Sequence, residues 1–235
     1  MGKPASGTQA FSAVFFDLDG TLVDSVPDLA YAIDQMLQTL SLPVAGVEKV
    51  RHWVGNGAEK LIERALFFAL DDNAAVAASF VSAKPLFYEA YQASNGTFSV
   101  CYPGVLPTLL RLRENGFRLS CITNKPVRFT HPLLRQLELE PLFEKVVSGD
   151  TLSVKKPHPA PLLFCAEQLG VAPSACLMVG DSRSDVLAAK NAGVPVVAVS
   201  YGYNHGEDIR NEGADHVIDR FDRLPAILLE NRAIN

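Results

Sequence analysis

Asp17 and Asp19 are two carboxylates two residues apart, in the run Asp17-Leu18-Asp19-Gly20-Thr21, directly after the apolar stretch Ala13-Val14-Phe15-Phe16. A short apolar run ending at a Gly-containing turn predicts a buried strand that finishes at Asp17. Ligands bind at the carboxyl edge of an open α/β sheet. An acid pair held there repels itself unless a cation neutralises it or the two acids do different work. A strand-end carboxylate can attack phosphorus and form an aspartyl-phosphate. The competing reading is a solvated turn with Asp at its favoured positions.

Further chemistry-bearing groups follow in order, each after its own apolar run. Leu119-Ser120-Cys121-Ile122 leads into Thr123-Asn124-Lys125, then comes Lys155-Lys156-Pro157-His158-Pro159, and Cys176-Leu177-Met178-Val179 ends in Gly180-Asp181-Ser182-Arg183-Ser184-Asp185. Phosphoryl transfer is mostly positioning and electrostatics. It calls for a hard divalent cation on oxygen ligands, for which Mg²⁺ and a few carboxylates suffice, together with a fixed ammonium and neutral donors. Asp181 offers the third acid, Lys156 the ammonium and Thr123 a hydroxyl.

This ordered set closely resembles the four motifs of the haloacid dehalogenase-like hydrolases, and it spans essentially the whole chain. The resemblance implies an α/β fold, a Rossmann-like parallel sheet core with an inserted helical cap domain, and Mg²⁺ as cofactor. Carried over residue by residue, it makes Asp17 the nucleophile and a metal ligand. Asp19 becomes the general acid/base, which also ligates the metal through its backbone carbonyl. Thr123, Asn124 and Lys156 become phosphate-binding residues, Asp181 the last metal ligand, and Asp185 an acid that orients metal-bound water. Lys155 competes with Lys156, but the family's lysine directly precedes the proline. His158 stands where many relatives carry Asp and reads as a loop residue.

Within the family, the resemblance points to members that hydrolyse 2-phosphoglycolate to glycolate and phosphate. It rests on the stretch Asp17 to Leu29, on Lys155 to Pro159, on Gly180 to Asp185 and on the loop Tyr201-Gly202-Tyr203-Asn204. A phosphosugar mutase, or a phosphatase for another sugar phosphate or pyrophosphate, would use the same nucleophile, and the mutase would need a bisphosphate activator. A dehalogenase is disfavoured by the acid at Asp19. A non-catalytic phosphometabolite sensor is disfavoured by retention of every acid and of Lys156.

The elements that must position these groups divide the chain. Residues 1–23 and 103–235 read as the Rossmann-like catalytic core, because strand and helix signals alternate there. Residues 24–102 read as a helical cap domain. Leu29, Ile33, Met36, Leu37 and Leu40 fall at helical spacing, with Ser25 as N-cap and Pro27 in the first turn. A second helix is marked by Leu61, Ile62, Ala65, Leu66 and Ala69, and a third, over 74–93, carries Phe80, Phe87, Tyr88 and Tyr91 as core. Helices after Pro103, Pro126, Pro159 and Ser182 would cover the sheet. In the cap, Arg51, Asn56 and Lys60, with His52 and Trp53, are candidates for substrate contact, and Gly55-Asn56-Gly57 precedes a helix N-terminus that suits an anion. The bland alternative packs Trp53 inside the cap and leaves Arg51 and Lys60 solvated.

The 235 residues are 48% hydrophobic, enough to bury a substantial core. A formal net charge of −5 argues against nucleic acid as partner. A small-molecule phosphate ester remains the expected partner, since metal and lysine reverse the field locally. The four cysteines have no C-x-x-C spacing, which points to buried apolar residues and a reducing cytoplasm. No apolar stretch is long enough to span a membrane, and a monomer or homodimer is expected. Met1-Gly2-Lys3-Pro4-Ala5-Ser6 fits a myristoylation pattern but reads better as a disordered lead-in.

Overall fold

The computed structural model of the protein describes residues 11–230. The amino-terminal Met-Gly-x-x-x-Ser pattern lies outside these residues. β1 (Ala13–Phe16) consists of four buried apolar residues and runs into a tight turn closed by the Gly20 amide on the Val23 carbonyl at 2.8 Å. β2 (Val23–Asp24) follows, and then the helices α1 (Val26–Thr39), α2 (Val47–Arg51), α3 (Ala58–Leu70) and α4 (Asn73–Ser94). β3 (Val100–Cys101) pairs antiparallel with β2, so the chain leaves and re-enters through one two-stranded ribbon. Strands and helices then alternate: α5 (Val105–Glu114), β4 (Arg118–Ile122), α6 (Val127–Gln136), β5 (Lys145–Val147), α7 (Ala160–Leu169), β6 (Cys176–Gly180), α8 (Arg183–Ala192), β7 (Val196–Val199), β8 (His216–Ile218) and α9 (Leu224–Glu230).

Six strands form a parallel sheet in the order β5-β4-β1-β6-β7-β8. Taken in chain order, this is the doubly wound arrangement whose direction of winding reverses between β1 and β6. Side chains alternate across each strand. Val14, Phe16, Leu119, Leu177 and Val179 pack against α5 and α9 on one face. Phe15, Ile122, Cys176 and Met178 pack against α7 and α8 on the other.

A third cluster belongs to the helices α1, α3 and α4, with Ile33, Met36, Leu37, Ile62, Leu66 and Phe87 fully buried. Phe129 and Tyr203 join it from the sheet-bearing part of the chain. The expected stripe on α1 is buried except for Leu40, which is the half-exposed C-cap. Ser25 occupies the N-cap position but makes no cap hydrogen bond, because its backbone is already helical (φ −101°, ψ −1°). Asp28 instead braces this end: its carboxylate accepts the amides of Gly96, Phe98 and Ser99 at 2.7, 2.8 and 3.1 Å, tying α1 to the returning strand. No helix of the described residues is long and apolar enough to cross a membrane.

Candidate active site

The reversal of winding places the carboxyl ends of β1 and β6 side by side, and each ends in an acid. The Asp17 amide donates to the Val179 carbonyl at 2.9 Å, extending the pairing one residue beyond β1. Asp181 follows β6 directly. Its Oδ1 accepts the Thr21 hydroxyl at 2.8 Å and its Oδ2 the Tyr203 amide at 2.5 Å. The approach requires glycine at position 20, where φ is +87° and a Cβ would stand 2.2 Å from Asp181 Oδ2. Asp17, Asp181 and Asp185 each bring one carboxylate oxygen to within 4.8 Å of the others.

Lys156 sits inside this cluster. Its ammonium donates to the Ile122 carbonyl at 2.6 Å and to Asp185 Oδ1 at 2.7 Å, and it lies 2.8 Å from Asp17 Oδ1. Burial alone would pull this lysine down, but Asp17 and Asp185 outweigh it and hold the group above its ordinary range. Lys155 points elsewhere, reaching the Asn56 carbonyl at 3.2 Å. Asp185 Oδ2 accepts the Ser182 hydroxyl and the amides of Ser182 and Asp181 at 2.7, 3.1 and 3.3 Å. Every oxygen of Asp185 is therefore engaged, which suits a brace better than a direct ligand.

Burial pushes the Asp17 carboxyl up to about 7, with Lys156 pulling against it and Asp185 and Asp19 adding to it. Asp181 is held well above the usual carboxylate range by burial, then by the charges of Asp185 and Asp17. Asp17 Oδ1 is buried with an ion-pair partner but no aligned hydrogen bond. An all-oxygen set with surplus negative charge and an incompletely satisfied oxygen fits a hard divalent cation.

Asp17, Asp19 and Thr123 open into one pocket. Asn124 also lines it, but its amide is committed to the Lys156 carbonyl at 2.9 Å, holding the lysine's loop against that after β4. The substrate-contact candidates of the helical segment, Arg51, His52, Trp53, Asn56 and Lys60, lie outside this lining. Arg51 makes a two-pronged pair with Asp24, both contacts at 3.3 Å. Lys60 pairs with Glu63 at 2.6 Å, and Asn56 Oδ1 accepts Arg64 at 2.7 Å. His52 is exposed, and Trp53 packs on Phe68 within the helical layer with ring centroids 5.7 Å apart. Gly55 and Gly57 do line the pocket, just ahead of α3. His158 accepts the Ala160 amide at 3.1 Å and acts as a loop brace.

Two polar side chains of the pocket carried no expected catalytic or binding role: Lys125, and Tyr91, which was expected only as core. Lys125 directly follows Thr123-Asn124, so its position was visible in the sequence. Tyr91 falls in the apolar stripe of α4, where nothing separates it from Phe87.

A profile of the haloacid dehalogenase-like hydrolases matches residues 11–193. The chain belongs to that family. A phosphoglycolate phosphatase of Pseudomonas putida is 53% identical over 206 residues, covering 88% of this chain and 75% of that protein. A phosphoglycolate phosphatase of Nitrosococcus oceani is 47% identical over 215 residues, covering 92% and 95%. The crystal structure of a predicted phosphoglycolate phosphatase from Haemophilus somnus superimposes with a TM-score of 0.87 at 36% identity, covering 92% of this chain and 97% of that one. This member of the family thus carries its acids and lysine at the reversal point of a doubly wound sheet.

Proposed function

We propose that the protein is a Mg²⁺-dependent phosphatase that hydrolyses 2-phosphoglycolate to glycolate and phosphate through a phosphorylated Asp17. The observation that carries this reading is the gathering of Asp17, Asp181 and Asp185 at one sheet edge, with the Lys156 ammonium against Asp17 and Asp185. The substrate is supported by the names of the relatives.

In this mechanism Asp17, as a carboxylate, forms a bond to phosphorus while the bond from phosphorus to the glycolate oxygen breaks. Asp19 gives its proton to that leaving oxygen. Asp19 then takes a proton from the water that attacks the aspartyl-phosphate, releasing phosphate and restoring Asp17. Lys156 offsets the charge of Asp17 from 2.8 Å, and the Thr123 hydroxyl donates to a phosphoryl oxygen. Asp17, Asp181 and the Asp19 backbone carbonyl would hold Mg²⁺, with Asp185 orienting the shell around it. When bound, the ion supplies the positive charge that screens the phosphoryl oxygens from Asp17.

In the same reading, residues 24–102 form a cap over a core of 1–23 and 103–235. Leu29, Val54, Leu61 and Tyr91 from the helical segment face Asp17, Thr123 and Lys125 across the pocket, an arrangement able to exclude water. A cytoplasmic setting is supported by four free cysteines, three of them buried. The test compares kcat/KM for 2-phosphoglycolate, hexose phosphates and nucleotides with and without Mg²⁺. A sugar phosphate that wins removes the substrate assignment, and near-normal turnover by Asp17→Asn removes the mechanism.

A further inference from the structure

Lys125 is the only cationic side chain among the described residues lining the pocket above Asp17. Its side chain is 3% exposed, and its ammonium lies 3.0 and 3.3 Å from the two oxygens of Asp19. It also donates to the Tyr91 hydroxyl, so it bridges the loop after β4 to α4. Around this pair, the pocket's other side chains from the helical segment are apolar: Leu29, Val54, Ala58 and Leu61. Arg51 and Lys60 are both paired elsewhere.

Two features make this pair a receptor and not merely a brace. The Tyr91 oxygen accepts from Lys125, which leaves the phenol proton available to a second acceptor. Burial raises Tyr91 above its ordinary range, so the phenol stays a donor. An ammonium and a hydroxyl donor set in apolar walls favour an anionic group through charge-assisted hydrogen bonds. They discriminate against an isostere that leaves them unpaired. Position points the same way. Asp19 must touch the ester oxygen it protonates, and Lys125 touches Asp19, so a group one carbon from that oxygen falls beside Lys125.

We propose that Lys125 and Tyr91 form the subsite for a second anionic group of the substrate, a carboxylate one carbon from the phosphate ester oxygen. The inference rests on the phosphatase reading of the pocket. It makes Lys125 and Tyr91 specificity-determining residues, and it transfers to them the role the sequence suggested for Arg51 and Lys60.

The experiment measures kcat/KM for the parent, Lys125→Met and Tyr91→Phe on two esters: 2-phosphoglycolate and 2-hydroxyethyl phosphate, in which CH₂OH replaces the carboxylate. In the parent, 2-phosphoglycolate should be the better substrate. The ratio of the two values should fall by roughly 10–100-fold in Lys125→Met and by roughly 3–10-fold in Tyr91→Phe, mainly through KM for 2-phosphoglycolate. Tyr91→Phe keeps the ring and the Lys125–Asp19 pair, so it stays informative if Lys125→Met folds poorly. A ratio near one in the parent, or a ratio both variants leave unchanged, overturns the subsite. In the latter case Lys125 only positions Asp19, and both esters slow together. If the parent hydrolyses neither ester, the function proposed above fails, and calorimetry with 3-phosphonopropionate and Mg²⁺ still decides the subsite. A roughly 10-fold weaker Kd in Lys125→Met retains it, and an unchanged Kd overturns it.

Discussion

Lys156→Met should cost stability as well as turnover, because its buried ammonium is set between the carboxylates of Asp17 and the fully buried Asp185. Its contacts are to the Ile122 carbonyl at 2.6 Å, Asp185 Oδ1 at 2.7 Å and Asp17 Oδ1 at 2.8 Å. Methionine preserves much of the stem's packing but leaves the carbonyl and both acids without their cation. Removing one partner of a buried ion pair costs about 3–5 kcal/mol. Asp185 keeps three other donors, and Asp17 escapes part of the cost by taking up a proton, so the low end applies. A loss of about 3 kcal/mol lowers Tm by roughly 6–12 °C for a chain of this length. The assay is thermal unfolding near neutral pH in excess chelator, for the parent, Lys156→Met, Asp17→Asn and the double variant. In the Lys156→Met background, Asp17→Asn deletes an orphaned charge and should recover part of the loss, with a coupling of about 1 kcal/mol or more. A Lys156→Met Tm within about 2 °C of the parent, or strictly additive variants, would refute the reasoning.

The other expectations concern the acids. The Asp17 carboxyl, pushed up to about 7 in the folded state from an ordinary value of 3.8, binds its proton more tightly folded than unfolded. This group therefore makes the metal-free protein more stable as pH falls from about 7 towards 4, and less stable as pH rises through that window. Asp17→Asn should flatten the difference in Tm between pH 5 and pH 8 in chelator, and a parent–variant difference that does not change with pH would contradict the assignment. Asp181→Asn keeps the shape of the site but removes a charge from the acid cluster. Half-saturation by Mg²⁺ should need roughly 10–100-fold more ion, and the Tm increase on adding Mg²⁺ should shrink. An unchanged Mg²⁺ titration would exclude Asp181 as a ligand.

Strand ends were legible because a buried strand is a local signal: Ala13 to Phe16, Leu119 to Ile122 and Cys176 to Val179 each finish at the residue where a polar motif begins. Helices α1, α3 and α4 were legible for a similar reason, since their apolar residues repeat with the helical period. The identity of Lys156 over Lys155 needed only the neighbouring proline in the resemblance, and the fold buries the first and leaves the second exposed. Choice of partner was not legible, because it depends on residues far apart in the chain. Arg51 is polar in a way that suggests substrate contact, yet the packing of α2 against α1 leaves it paired with Asp24, 27 residues earlier. Lys125 is a lysine beside a motif until α4 delivers the Tyr91 hydroxyl from 34 residues away and the β1 loop delivers Asp19 from 106. Side-chain types and spacing determined which chemistry the chain could perform. Tertiary packing decided which charges neutralise one another and which remain to meet a substrate, because electrostatic pairing acts over a few ångströms in space and is blind to distance along the chain.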